Sequence, residues 1–247
     1  MFGFTTRYRI CDLLGIPVYI STSFLFLLVL FMLDMHSFGY GLAVALLLAI
    51  SVTAHELGHA LAARAFGYRT NDITLSLLGG CASMIALPRK ASQEFLVAIA
   101  GPLVSFAISF AVFALDLFGV PVASPFLRFC LAYLFWMNIM LGGFNLLPGF
   151  PMDGGRIFRS AMRLFTTRAK ATFIAMWVGR VTAVFVGLRG LSAMFGGGGF
   201  GFISILIAWM IWKEGYREYL LARREEDFRN WTQDDFSARV SPPPYEQ

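Results

Sequence analysis

Charge is what this chain has least of. Only 14% of its 247 residues are Asp, Glu, Lys or Arg, while 57% are hydrophobic. A soluble domain is nearer 25% charged, and this chain lacks the polar side chains to cover a water-facing surface. So much apolar surface also excludes disorder. Cysteine is scarce as well: Cys11, Cys81 and Cys130 are odd in number and form no CxxC pair. Neither a disulfide framework nor a thiolate metal site follows, and the three read as small buried hydrophobes. Histidine occurs three times, at His36, His55 and His59. No cleavable signal peptide is evident, because the first apolar run starts late and lacks a small-residue cleavage site.

What is present is a series of long uncharged runs. Asp12 and Asp34 bound one, Glu94 and Asp116 a second, Arg128 and Asp153 a third, and Arg189 and Lys213 a fourth. Each is close to the roughly 20 residues that cross a bilayer as a helix. Two further apolar stretches end at His55 and contain Arg180. The expectation is an all-α polytopic membrane protein with about six transmembrane helices, near 16–33, 38–63, 94–115, 128–147, 171–189 and 198–213. A loose turn is expected at Gly196–Gly199. Residues 1–213 read as one transmembrane domain and 214–247 as a charged tail, helical to about Arg229.

With six spans, all but Arg128, Arg180 and Arg189 of the 20 basic residues fall on the side of the two termini. The positive-inside rule makes that side cytoplasmic and predicts a multi-pass protein of the cell membrane. The net charge of +5 then needs no nucleic acid, since it lies where anionic lipid headgroups are.

Polar groups at membrane depth are costly and mark function. The second span ends in His55-Glu56-Leu57-Gly58-His59. At 100° per residue the two imidazoles project from one helix face, one turn apart, where both can bind a zinc ion. Glu56 beside them can serve as general base toward the attacking water. Catalytic zinc generally takes three protein ligands. His36 lies in a loop on the opposite side, which leaves Asp153, in Asn145-Leu-Leu-Pro-Gly-Phe-Pro-Met-Asp-Gly-Gly-Arg156. The second and fourth spans run the same way, and Pro148 and Pro151 break the helix before Asp153. The aspartate is thereby expected on irregular backbone at about the depth of the histidines. The ligand set His55, His59 and Asp153 is consistent with one zinc ion per chain.

Asn145 is open to two readings, an amide that steadies an oxyanion or an interhelical hydrogen bond. Asn138 reads as the latter. Arg180 either snorkels, faces a watery cleft or gates one. Ile73, Leu75 and Leu77 alternate with Thr74 and Ser76, and Gly79-Gly80 supplies a turn: a β-hairpin over Asp72–Ala86, which either pairs with an extended substrate or plugs the cleft. Ala100-Gly101-Pro102-Leu103-Val104-Ser105 reads as a close-packing element. Pro242-Pro243-Pro244-Tyr245 matches a WW-domain ligand and reads as a disordered end.

HELGH, AGPLVS and NLLPGFPMDGGR, in that order on hydrophobic segments, resemble the site-2 proteases, which are intramembrane zinc metalloproteases. GIPVYIST at residues 15–22 resembles the start of that family. The resemblance covers about residues 8–215 and is closest to six-helix archaeal and bacterial members. It implies His55, His59 and Asp153 as zinc ligands, Glu56 as catalytic base and Asn145 near the active site. The implied activity is hydrolysis of peptide bonds within transmembrane segments of membrane-anchored substrates. Ser105 stands where the family often has Asn. PDZ and paired CBS modules found in many relatives do not fit the 34 residues after Lys213. The rival readings are a membrane zinc peptidase with a glutamate third ligand, and a zinc carrier or non-proteolytic binder. No intramembrane glutamate besides Glu56 serves the first, and a carrier has no use for a base beside its ligands.

Overall fold

The structure, a computed structural model, describes residues 6–35, 37–76, 79–84, 88, 90–196 and 201–240. His36, the 197–199 part of the expected loose turn and the Pro242–Tyr245 motif lie outside them. The chain forms two compact units, Met1–Leu146 and Leu147–Gln247.

The first unit opens with β1 (Arg7–Leu13) and β2 (Ile16–Ser21), followed by helices α1 (Thr22–Asp34) and α2 (Phe38–Ala65). Strands β3 (Thr70–Ser76) and β4 (Gly79–Met84) come next, then α3 (Ala91–Leu117) and α4 (Pro125–Asn145). The predicted hairpin exists as β3–β4, within a larger sheet of order β1-β2-β3-β4. Gly79 and Gly80, expected as the turn, are instead strand residues paired with Ser76 and Leu75; residues 77–78 lie outside the described residues.

The sheet corrects the expected first helix. Residues 16–21 are extended, not helical: Ile16, Val18 and Ile20 are buried, and the side chains between them are buried less completely, apart from the cap residue Ser21. β-branched residues at every second position favour a strand over a helix. The β1–β2 turn is tight because Leu14 and Gly15 both take positive φ, 50° and 80°, as a two-residue hairpin loop requires. Helix α1 begins only at Thr22, where Ser21 Oγ accepts a hydrogen bond from the Phe24 amide. One face of the sheet packs with Phe24, Val52 and Ala60 into the core of this unit.

The second unit contains α5 (Asp153–Met162), α6 (Arg168–Phe195) and α7 (Gly201–Val240). Met152, Ala183, Ala208 and Ile211 form its core. Residue 213 falls inside α7, and the helix runs on past Arg229 to Val240. Arg180, within the fifth expected span, is held by aromatic rings. Its guanidinium lies between the rings of Trp177 and Trp212, 4.7 Å from each centroid. Two aromatic faces stabilise a cation that the apolar span would otherwise penalise.

Among the described residues, four helices, α2, α3, α4 and α6, are long and apolar enough to cross a membrane. At 1.5 Å per residue the 28 residues of α2 reach about 42 Å, beyond the ~30 Å hydrocarbon layer. The protein is an integral membrane protein. The expected count of six spans is approximate: α1 is 13 residues long, and α7 is longer than any span because it continues into charged sequence.

Candidate metal centre

His55, Glu56 and His59 sit in the last three turns of α2, and all three are buried. Each histidine is fixed through its δ nitrogen. His59 Nδ1 is 2.7 Å from the Val97 carbonyl oxygen. A carbonyl only accepts, so Nδ1 carries the proton and Nε2 keeps its lone pair. His55 Nδ1 is 2.9 Å from Ser105 Oγ. Such outer contacts set the tautomer and ring direction of metal-binding histidines.

The two ε nitrogens converge. His55 Nε2 and His59 Nε2 are 3.3 Å apart. A tetrahedral zinc with Zn–N bonds of about 2.05 Å requires its nitrogen ligands to be about 3.3 Å apart. The pair therefore fits the metal without rearrangement. Helix periodicity alone brings the rings to one face; their aim comes from α3.

Helix α3 presents a stripe of four-residue spacing to the pair: the Val97 carbonyl, Gly101 and Ser105. Gly101 lies against the imidazoles themselves. A Cβ there would come 2.7 Å from His55 Nε2 and nearer still to His59 Nε2. Gly58, between the histidines, is pressed in turn on α3, where a Cβ would lie 2.9 Å from the Ala100 carbonyl oxygen. Two glycines thus let α2 and α3 approach closely, as small residues do in membrane helix pairs. The AGPLVS segment was legible as a packing element. Its direct apposition to the imidazoles, and Ser105 as a partner of His55, were not. The signal was there: a serine four residues after a glycine, on one face of an apolar span.

Asp153 is the first residue of α5 and is buried. The chain before it is not helical, in accord with the two prolines, but Asp153 itself opens a helix, which corrects the expected irregular backbone at that position. Pro148 and the Phe150–Pro151 pair lead into a turn that closes on itself: a Cβ on Gly155 would lie 2.7 Å from the Gly149 carbonyl carbon. Thr182 Oγ1 of α6 donates to the Pro148 carbonyl at 3.0 Å, and Gly149 packs against Gly179. The aspartate is thus held by tight backbone packing on both sides.

Asn145 ends α4 and is half-buried. One of its amide hydrogens goes to the Leu141 carbonyl, 2.9 Å away and one turn back. Asn138 makes the interhelical bond expected of it, to Ser51 Oγ at 2.9 Å. Cys11 and Cys130 are free thiols.

Comparison with known proteins agrees with this anatomy. The sequence pattern of Peptidase family M50 matches residues 43–127 and 120–187. A zinc metalloprotease of Methanocaldococcus jannaschii is 35% identical over 225 residues, covering 90% of this chain and 63% of that protein. The chain thus spans less than two thirds of that relative's length. Stage IV sporulation protein FB of Bacillus subtilis is 34% identical over 111 residues, 44% of this chain and 37% of that one. The solved structure of the site-2 protease from Methanocaldococcus jannaschii superposes with a TM-score of 0.64 at 32% identity, covering 87% of this chain and 95% of that one. The cofactor these relatives imply is zinc, which is what the spacing of the two ε nitrogens accommodates. A family pattern matched over more than half of the chain and a solved structure shared along most of it lead to one conclusion: the chain belongs to Peptidase family M50, the site-2 proteases.

Proposed function

We propose that this protein is a zinc-dependent endopeptidase that cleaves peptide bonds within the transmembrane segments of membrane-anchored proteins. The observation that carries this reading is the 3.3 Å approach of His55 Nε2 and His59 Nε2, with buried Glu56 next to His55 in the chain. A zinc carrier would need the first feature and not the second.

Two imidazoles leave a tetrahedral ion short of the three protein ligands usual in catalysis. Asp153 supplies the third. Its support is chemical: His55, His59 and Asp153 are all buried, and a carboxylate withdrawn from water is stable as an anion only beside a cation or strong donors. Zinc, when bound, provides Lewis-acid polarisation of the scissile carbonyl and makes water a nucleophile near neutral pH. Glu56 accepts the proton from the attacking water and returns it to the leaving amine. The Asn145 amide uses one hydrogen within its own helix and has a second to offer, which stabilises the developing oxyanion. The substrate must unwind locally, because a helix hides its carbonyls in i→i−4 bonds. Strand β4 ends the sheet order and so offers an edge along which an extended substrate can pair.

The protein is placed in the cell membrane with both termini in the cytoplasm, on the distribution of its basic residues. Residues 1–213 act as the membrane domain and 214–247 as its cytoplasmic extension. The test is cleavage of a substrate transmembrane segment by purified protein in detergent or vesicles. Glu56→Gln should lower the rate by about 10²–10⁴-fold and keep one zinc per chain. A variant that still cleaves, or that loses its zinc, would refute the general-base assignment.

A further inference from the structure

The extension of α7 beyond the apolar stretch is not a loose tail. It carries three glutamates that grip the residues around α5 and the start of α6. Glu218 Oε2 is 2.9 Å from Arg159 Nη1. Glu225 is 3.3 Å from Arg168. Glu226 accepts from the Ala169 amide at 3.2 Å and from Thr167 Oγ1 at 3.3 Å, which caps the N-terminus of α6.

The Arg159–Glu218 pair differs from the other two. The Arg159 side chain is 2% exposed and that of Glu218 30%. The same guanidinium packs over the ring of Phe150, 4.8 Å from its centroid. Arg159 belongs to α5, and Phe150 is three residues before Asp153. One side chain therefore ties together α7, the helix that Asp153 opens and the turn that delivers Asp153. Helix α5 has ten residues and begins with two glycines after the aspartate. A helix so short and so weak in propensity owes its orientation to what its side chains hold.

We propose that Arg159 and Glu218 are positioning residues: through them the C-terminal helix sets the direction of the Asp153 carboxylate. The inference rests on the reading of Asp153 as a zinc ligand. It makes residues 214–226 part of the working enzyme, and it offers a route by which anything that moves α7 alters the metal centre.

A double-mutant cycle on the purified full chain tests it. Zinc affinity is measured by chelator competition in two backgrounds, native and Asp153→Asn. Into each go Glu218→Gln and the pair Arg159→Gln with Glu218→Gln, the latter leaving no uncompensated buried charge. In the native background both should weaken zinc binding about 10- to 100-fold, the size of loss that follows when a ligand's support is removed. In the Asp153→Asn background they should change it by less than about threefold, because the ligand they direct is gone. Glu218→Asp should restore part of the loss. Equal weakening in both backgrounds would make the pair a general packing contact and overturn the proposal, as would unchanged affinity in the native background. If Asp153→Asn alone binds zinc like the native protein, the ligand assignment itself fails, and this inference with it.

Discussion

The two segments that carry the proposed ligands are built on opposite principles. His55 and His59 stand on a long helix, where a four-residue spacing is enough to bring two side chains to one face. Asp153 stands at the end of a helix break, where position depends on how tightly the backbone turns. Gly149, Gly155 and Gly179 crowd one another, so that a Cβ on the last two would meet Gly149 at 3.0 Å or less. The first segment takes regularity from the chain and precision from its neighbour α3. The second gets its shape from glycine and proline and its anchorage from α6 and α7. An intramembrane site can be assembled from both kinds of part because each closes its own backbone hydrogen bonds or buries them in protein.

Single added methyl groups sharpen this contrast. Gly101→Ala places a Cβ within contact distance of both ε nitrogens. Zinc binding should fall below detection by metal analysis, while the apolar helices remain folded by circular dichroism. Gly155→Ala acts on the turn rather than on the ligands. Its Cβ meets backbone, which cannot yield as a side chain can. Zinc should be retained by the histidine pair but bound at least about tenfold more weakly, as for a displaced ligand. Asn145→Ala should leave zinc in place and lower cleavage by about 10²-fold, the usual cost of an oxyanion donor; unchanged cleavage would return this residue to a purely structural role. Ser105→Ala should have the smallest effect on the centre, since His55 keeps its place on α2 and loses only its orienting partner. A loss in zinc affinity near tenfold is expected from chelator competition.

Much of this was readable in the chain itself. Gaps between charges located α2, α3 and α4 to within about three residues, because a charge inside hydrocarbon is costly enough to be rare; α6 was expected to end at 189 and runs six residues further, to Phe195. The HELGH and MDGG elements gave the candidate ligands. The N-terminal strands were hidden by their own hydrophobicity: Ile16–Ser21 is as apolar as a span, and only its alternation and the cap at Ser21 betray a strand. The Arg180 site was also out of reach. Trp177 is one turn away on the same helix, but Trp212 arrives from α7. The Arg159–Glu218 pair joins residues 59 apart, a separation at which no local pattern operates.

Strands β2 and β3 run parallel, with Val18 beside Ile73 and Ile20 beside Leu75. A parallel pair cannot close through a tight turn and needs a long crossover. Here that crossover is α1 and α2 together. The sheet must therefore wait during synthesis until both helices have been delivered and β3 has emerged. Once formed, it holds one register. A slip of one residue along a strand, about 3.3 Å, would turn Ile73 and Leu75 away from their core. Since β3 follows α2 after only four residues, that register also limits how far the HELGH end of α2 can shift against the sheet.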